Sequence, residues 1–341
     1  MPRLTQAIKN LTRLTSLSTR VLADSTGASA FVQRPPSYTV PIFNKASVAG
    51  YFAGGYSTTS GNVSGIDKIA FPADTKTVLS ATLTTARSSG AGMANSAVAG
   101  YCGAGEDSTV LTAIDKITFP ADTKTTLSAT VTNGAYGTFG MANSGAAGYF
   151  GGGYTGATRV SNIDKITFPA DTKTTIAATM TTGASFVTGM ANSGVAGYIG
   201  GGDTPSATSR IDKITFPADT KTTLSATLSA AQSSMGGMAN SGVAGYYGGA
   251  NANGTRINLI DKITFPDDTK TTLSATLTAS VFYDAGFANS GVAGYFGGGS
   301  TAAGRVSTID KITFAADTKT TLSATLSYIL ENAYSMADGG V

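Results

Sequence analysis

The sequence predicts an all-β fold, a six-bladed β-propeller of four-stranded blades, from three observations. The tripeptide Ile-Asp-Lys occurs six times at steps of 48 or 49 residues, and Ala-Gly-Tyr recurs in the same register. A period of roughly 40–50 residues with strand-like composition is typical of propeller blades. Each period also contains four short apolar or β-branched stretches separated by turn residues.

The repeat at 189–228 shows the four strands of one blade. The first strand is predicted at 190–192, and a Ser-Gly turn leads to the second at 195–199. Glycines and a polar loop precede the third strand at 211–216. A Pro-Ala-Asp-Thr-Lys turn follows, because proline fixes φ and aspartate can bond the backbone ahead of it. The fourth strand is predicted at 222–228, which is rich in β-branched residues.

The two ends of the repeat region are incomplete and complementary. Residues 44–51 begin at the turn before a second strand, whereas residues 333–341 match a first strand and that turn. We therefore predict that N- and C-terminal strands share one blade and close the ring, which removes the open edges that invite aggregation. The predicted domains are an anchor with its linker at 1–43 and the propeller at 44–341.

Composition and charge exclude several functions. The chain has no His and no Trp, and its one cysteine, Cys102, takes an apolar blade position and is interpreted as a buried hydrophobe. Residues 1–43 carry five basic residues against Asp24, a net +4, whereas the remainder has 18 basic and 19 acidic residues. The blades therefore lack the basic face that nucleic acid requires. No apolar run reaches the ~20 residues of a membrane-spanning helix.

The repeat resembles the kelch repeat. Residues 197–201, Gly-Tyr-Ile-Gly-Gly, match the family's apolar strand ending in two glycines, and residues 213–223 match its next strand and polar turn. Pro217 stands at the family's Asp and Thr223 at its Trp. The near-identical copies are also similar in style to repeat proteins of bacteriophage tail or head appendages. The two resemblances imply a propeller that serves as a structural or binding module.

Each blade is predicted to have a constant and a variable face, because alternate connections of a four-stranded meander emerge on the same side. Asn-Ser-Gly and Pro-Ala-Asp-Thr-Lys belong to the constant face, and the connections that differ among copies belong to the variable face. Loops on a rigid scaffold often bind ligands. Arginine and aromatic side chains suit a protein partner or a glycan, neutral or carboxylate-bearing. Unselected variation of solvated loops is the alternative. The predicted ligand-binding residues are Arg159, Arg210, Arg256, Arg305, Tyr136, Phe186, Phe282, Tyr283 and Tyr334.

The repeated acids and lysines are interpreted as scaffold. Asp171 suits a turn, and the equivalents of Asp164 and Lys165 are expected to pair between neighbouring blades as exposed ion pairs worth about 0–1 kcal/mol each. The sequence contains no Asp-x-Asp-x-Asp-Gly loop for calcium. We expect no metal and no cofactor.

Catalysis is not expected. Without histidine, Ser-His-Asp and Cys-His mechanisms and the usual zinc and copper sites are excluded. Six-bladed sialidases use arginines, a tyrosine and carboxylates, but their Asp-box motif contains a Trp that this chain lacks. A glycan-processing enzyme remains only a remote alternative.

An amphipathic stretch precedes the repeats. The apolar residues that give it helical spacing form the predicted assembly anchor, Leu4, Ile8, Leu11 and Leu14. Residues 27–41 read as an extended linker stiffened by two prolines. Docking on other virion or assembly proteins is the favoured interpretation, with self-association into a homo-oligomer or a strap over its own propeller as alternatives.

The sequence therefore predicts a non-enzymatic propeller in a virion, attached through residues 1–43 and contacting a host-surface glycan. A cytoplasmic kelch-like scaffold for protein interactions is the alternative.

Overall fold

The computed structural model describes residues 48–338, and all regular secondary structure in that range is β-strand. Six four-stranded antiparallel sheets contain most of the strands. We number the sheets 1 to 6 and name the strands of each sheet first to fourth in hydrogen-bonded order. In that order, sheet 1 contains Tyr334–Ala337, Ala49–Ala53, Ile66–Ala70 and Thr75–Val78; sheet 2, Ala91–Asn95, Ala99–Gly103, Ile114–Thr118 and Thr123–Thr126; sheet 3, Phe139–Asn143, Ala147–Gly151, Ile163–Thr167 and Thr172–Thr175; sheet 4, Thr188–Asn192, Ala196–Gly200, Ile211–Thr215 and Thr220–Thr223; sheet 5, Gly236–Asn240, Ala244–Ala252, Thr255–Thr264 and Thr269–Thr272; and sheet 6, Ala285–Asn289, Ala293–Gly297, Ile309–Thr313 and Thr318–Thr321. The remaining strands have two residues each: Tyr56–Ser57, Gly61–Asn62, Ser300–Thr301, Gly304–Arg305 and Leu330–Glu331.

Burial falls from the first strand of each sheet to the fourth. In sheet 3 every residue of Phe139–Asn143 and Ala147–Gly151 is buried, whereas Thr172–Thr175 is mostly exposed. Sheets buried on both faces read as continuous apolar runs, which explains why the first two strands lack polar alternation. The fourth strands carry threonines and a lysine, a composition that discourages pairing of an exposed sheet edge with another chain.

The glycine of each Ala-Gly-Tyr makes room for a side chain of the preceding sheet. A Cβ on Gly148 would overlap Met93, and a Cβ on Gly197 would overlap Met141. Gly50 of sheet 1 receives the ring of Phe287 from sheet 6 in the same way. Because the buried Met or Phe fills the space above the glycine, neighbouring sheets approach closely enough to share one apolar core.

A Tyr-Lys-Asp contact, which we call the interlock, joins each sheet to the next. In sheet 3 the Tyr149 hydroxyl donates to Asp219 at 2.7 Å, and the Lys165 ammonium binds the other oxygen of the same carboxylate at 2.6 Å. Asp219 lies in the turn before the fourth strand of sheet 4. Burial, followed by this hydrogen bond, raises the pKa of Tyr149. The equivalent groups are Tyr51, Lys68 and Asp122; Tyr101, Lys116 and Asp171; Tyr198, Lys213 and Asp268; Tyr246, Lys262 and Asp317; and Tyr295, Lys311 and Asp74.

The aspartate of Ile-Asp-Lys has a different role from the one expected. Asp164 is buried and accepts hydrogen bonds from the Thr132 backbone amide, the Thr132 hydroxyl and the Thr175 hydroxyl at 2.5–2.7 Å. Thr132 belongs to the segment that arrives from sheet 2. The expectation of exposed pairing between equivalents of Asp164 and Lys165 is therefore wrong. Asp164 is buried and bonds to threonines, and Lys165 binds Asp219 instead.

The strand predictions for sheet 4 were correct in number and order, and the fourth strand was wrong in extent. It spans Thr220–Thr223 rather than 222–228. Beyond Thr223 the regular ladder stops, and only separate backbone bonds remain, from Leu224 to Ile211 and from Leu228 to Ser209, both 2.9 Å. Leu228 is 3% exposed, so it serves the apolar core between sheets rather than a strand.

The C-terminal residues occupy the first-strand position of sheet 1. Tyr334–Ala337 pairs antiparallel with Ala49–Ala53, with Met336 opposite Tyr51, just as Met190 lies opposite Tyr198 in sheet 4. Asp338 continues the contact, since its carboxylate accepts a 2.5 Å hydrogen bond from the Val48 amide.

Cys102 is fully buried, as the sequence predicted. It replaces an aromatic residue or isoleucine of the other sheets, and the buried side chain of Arg87 reaches its backbone carbonyl. That guanidinium donates to the carbonyls of Ala113 and Cys102 and to the Asp115 carboxylate at 2.9–3.1 Å. The carboxylate balances the buried charge and the two Nη atoms are hydrogen-bonded, whereas Nε has no partner.

Candidate binding surface

The variable connections are ordered by backbone pairing. We call the chain between the fourth strand of one sheet and the first strand of the next a link. Each link forms a short antiparallel contact with the chain that follows the second strand of the next sheet or, in sheet 5, with the end of the extended second strand Ala244–Ala252. The paired residues are Ser88 with Glu106, Tyr136 with Tyr154, Ser185 with Asp203, Ser233 with Asn251, Phe282 with Ser300, and Glu331 with Tyr56.

Six link residues, which we call the amide cycle, bond to one another head to tail. Each backbone amide donates to the carbonyl of the equivalent residue in the preceding link, over 2.6–3.0 Å. All six residues have left-handed backbone conformations with φ between 53° and 67°. The members are Ser89, Gly137, Phe186, Ser234, Tyr283 and Asn332.

Two members of the amide cycle are unfavourable choices for its backbone. Glycine and asparagine adopt positive φ readily, whereas bulky side chains there cost roughly 1–3 kcal/mol. Gly137 and Asn332 suit the geometry, but Phe186 and Tyr283 do not. The cycle explains why φ is positive at these positions. It does not explain why two of these positions carry aromatic side chains.

A cavity of about 100 Å³ lies where the six first strands begin, and the amide cycle contributes to its lining. Three buried polar atoms of residues in its wall have no hydrogen-bond partner: Thr138 Oγ1, Ser234 Oγ and Asp284 Oδ2. Burial raises the pKa of Asp284 well above its usual value, only partly opposed by backbone amides that include Gly236.

Five partly exposed aromatic rings make a continuous series, which we call the aromatic track. Successive ring centroids are separated by 5.5, 5.8, 5.2 and 4.5 Å. In order, the rings are Tyr154, Tyr136, Phe186, Tyr283 and Phe282. Arg159 lies over Tyr154 at 5.5 Å and Arg256 over Phe282 at 4.3 Å, so a guanidinium covers each end.

Two carboxylates, Glu106 and Asp203, lie beside the track. Each pairs through its backbone with a link residue next to a member of the amide cycle. Neither forms an ion pair with a Lys or Arg among residues 48–338. Burial raises the pKa of Glu106, and a hydrogen bond with Ser89 opposes the shift. Burial likewise raises the pKa of Tyr136 and Tyr283.

The structure brings together six of the nine predicted surface residues: Arg159, Arg256, Tyr136, Phe186, Phe282 and Tyr283. Arg210 lies elsewhere, 3.6 Å from the buried Asp212. Arg305 is held by Glu331 at 2.5 Å and stacks on Tyr56, with 4.7 Å from its guanidinium carbon to the ring centroid.

Tyr334 was misplaced by the sequence interpretation. It belongs to the first strand of sheet 1, is 1% exposed, and donates its hydroxyl to the Ala104 carbonyl at 2.8 Å. Its ring packs in the apolar core, so it is not available to a ligand on this surface. The anchor residues Leu4, Ile8, Leu11 and Leu14 lie outside the described residues.

Sequence reasoning missed Tyr154, Glu106 and Asp203. All three directly follow the glycines that end a second strand, in the loops that differ among copies. Comparing that single position across the six copies (Tyr56, Glu106, Tyr154, Asp203, Asn251 and Ser300) would have found them. The cycle of positive φ values leaves no comparable signal, since its members are chemically unlike.

No family model matches the chain, and no curated protein matches it. Within residues 48–338, no group of three or more His, Cys, Asp or Glu side chains is arranged to hold a metal ion. The same range has no helix of the length and apolarity needed to cross a membrane.

Proposed function

We propose that the six sheets are the blades of a closed six-bladed propeller. The contact between sheets 6 and 1 repeats the contact between consecutive sheets, which supports closure. Tyr295 and Lys311 of sheet 6 bind Asp74 of sheet 1 at 2.7 and 2.6 Å, within 0.2 Å of the distances in the other interlocks. The amide cycle returns from Ser89 to Asn332 in the same sense. Such a ring leaves no sheet with an unpacked face.

We propose that this propeller is a non-enzymatic binding module, with the aromatic track as its binding site and a surface glycan as its ligand. The observation that carries the proposal is the placement of Phe186 and Tyr283 at left-handed positions. Backbone strain at partly exposed residues is commonly associated with function. Exposed rings, hydroxyls and carboxylates together suit a sugar, whose ring has apolar C–H faces and polar edges. The lack of histidine supports a role without catalysis.

The proposed setting is a larger assembly, a phage-type virion, with residues 1–43 as the attachment. Its support is the similarity in style to appendage proteins and the separation of one variable face from one constant face. The cytoplasmic kelch-like scaffold is the competing setting. Detection of the chain in purified particles, and its loss from them on deletion of residues 1–43, would favour the virion. Its recovery only in the cytosolic fraction would favour the scaffold.

A glycan array tests the binding proposal directly. We expect the full chain to bind at least one glycan class and the double variant Phe186→Asn/Tyr283→Asn to lose that signal. Asparagine removes both rings and still suits positive φ, as Asn332 does, so the variant should fold. Tyr328→Ala is the matched control, because Tyr328 is an exposed aromatic outside the track. Absence of any signal, or a signal that both variants retain, would refute the proposal.

A further inference from the structure

The aromatic track extends across several sheets, in contrast to the interlocks, which repeat once per sheet. It starts in the loop of sheet 3, passes through the links that enter sheets 3 and 4, and ends in the link that enters sheet 6. No equivalent series exists between the other links of residues 48–338, whose corresponding residues are Ser88 and Ser89, Ser233 and Ser234, and Glu331 and Asn332. The chain therefore offers one elongated surface rather than six equivalent sites.

The spacing of the rings decides what they can hold. Neighbouring centroids are 4.5–5.8 Å apart at tilted or perpendicular angles, so the rings contact one another. No gap between them could enclose a cationic group as an aromatic cage does. A ligand must instead lie over the outer faces and edges of the series. Successive flat units with apolar faces, about as large as the aromatic rings themselves, fit that surface.

The charges along the track argue against an anionic ligand. Arg159 and Arg256 lie at the two ends of the track and not along its middle, and each guanidinium already covers a ring. Arg256 also donates to the Ser300 carbonyl at 3.1 Å. The groups beside the middle are the carboxylates of Glu106 and Asp203, which repel a ligand carboxylate and accept hydrogen bonds from hydroxyls.

From these contacts we infer that the aromatic track binds a single neutral, linear oligosaccharide that lies lengthwise across the links, one chain per propeller. The inference rests on the proposed binding function and specifies its ligand class, its length and its stoichiometry. The sugar rings stack on the aromatic rings, and their hydroxyls bond to Glu106 and Asp203.

Isothermal titration calorimetry on the full chain tests the inference. The probes are chito-, cello- and malto-oligosaccharides of one to six units, with sialyllactose and oligogalacturonate as anionic counterparts. For at least one neutral series we expect one bound chain per propeller. We also expect affinity to rise with length until the chain is about as long as the five-ring track. Loss of either central ring, in Phe186→Asn or Tyr283→Asn, should weaken binding of the longest probe at least about tenfold, since a buried aromatic face contributes about that much. Tyr328→Ala should bind like the parent.

The outcomes separate this inference from the broader proposal. Equal affinity for short and long probes, preference for the anionic probes, or several bound chains per propeller would overturn the inference while glycan binding through the track stands. Absence of binding to every probe, with a silent glycan array, would overturn both and would leave a protein partner as the ligand of this surface.

Discussion

Truncation of Met336 to alanine should destabilise the protein as much as truncation of a methionine in the middle of the chain. Met336 is fully buried and packs over Gly100 of sheet 2, just as Met190 is fully buried and packs over Gly245 of sheet 5. Each substitution removes three side-chain atoms, which costs roughly 2 kcal/mol of lost burial. The cavity left behind brings the expected loss in the free energy of unfolding to about 2–5 kcal/mol.

The stability of both variants is measured as the midpoint of urea unfolding, monitored by circular dichroism. With a slope of roughly 1–3 kcal/mol per molar, we expect each midpoint to fall by about 1 M or more. Val195→Ala is the control, because Val195 is 48% exposed on a turn and its truncation should leave the midpoint unchanged. If Met336→Ala had the midpoint of the parent while Met190→Ala did not, the C-terminal strand would be a peripheral addition. The argument for a closed ring would then fail.

Three further predictions concern single buried groups. Asp284→Asn should stabilise the protein more at pH 7 than at pH 4. Because folding raises the pKa of this carboxyl, the folded state keeps its proton at pH values at which the unfolded state has released it. The stability of the parent protein therefore falls as the pH rises above the ordinary pKa of an aspartate. Tyr149→Phe should lower the free energy of unfolding by about 1.5 kcal/mol, the worth of a hydrogen bond to a charged group, because Asp219 keeps Lys165 as its other partner. Cys102 should resist iodoacetamide at pH 8 until the protein unfolds, because burial raises the pKa of its thiol to about 12.

Each of these has a contrary result that is easy to recognise. An equal effect of Asp284→Asn at both pH values would mean that folding does not raise the pKa of this carboxyl. An unchanged urea midpoint for Tyr149→Phe would show that water replaces the hydroxyl without loss. Alkylation of Cys102 in native buffer, at the rate of a small thiol, would show that the core around Arg87 opens.

The sequence repeat was sufficient to predict the sheets, because each strand reports its burial through residue type. Partners across sheets were harder. Lys165 binds Asp219 of the next copy rather than an acid of its own motif, and near-identical copies give no sign of which one supplies a partner. Tyr334 was misread because a terminal segment can be aligned either as a link or as a first strand. Arg87 and Cys102 lie together in the core, although neither is unusual when taken alone.

The sequence predicted which types of residue form the aromatic track but not which rings contact one another. Aromatic residues in the links and arginines in the loops that follow the second strands identified the surface, but nothing in their order along the chain brings Phe186 next to Tyr283, which lie in links two apart. The amide cycle accounts for that meeting, since it bonds the backbones of all six links to one another. Such a cycle depends on φ and on hydrogen bonds between distant residues, and sequence patterns report neither.

In the amide cycle the backbone hydrogen bonds hold the six link residues in place, and their side chains remain available for recognition. Its bonds run from backbone to backbone, so they do not depend on the side-chain type at each place, except at Gly137, where a Cβ would lie 2.5 Å from the Phe186 amide nitrogen. Serine, glycine, phenylalanine, tyrosine and asparagine already occupy equivalent places in this one chain. A change of side chains at these positions, with the same backbone, would therefore be enough to change what the surface recognises.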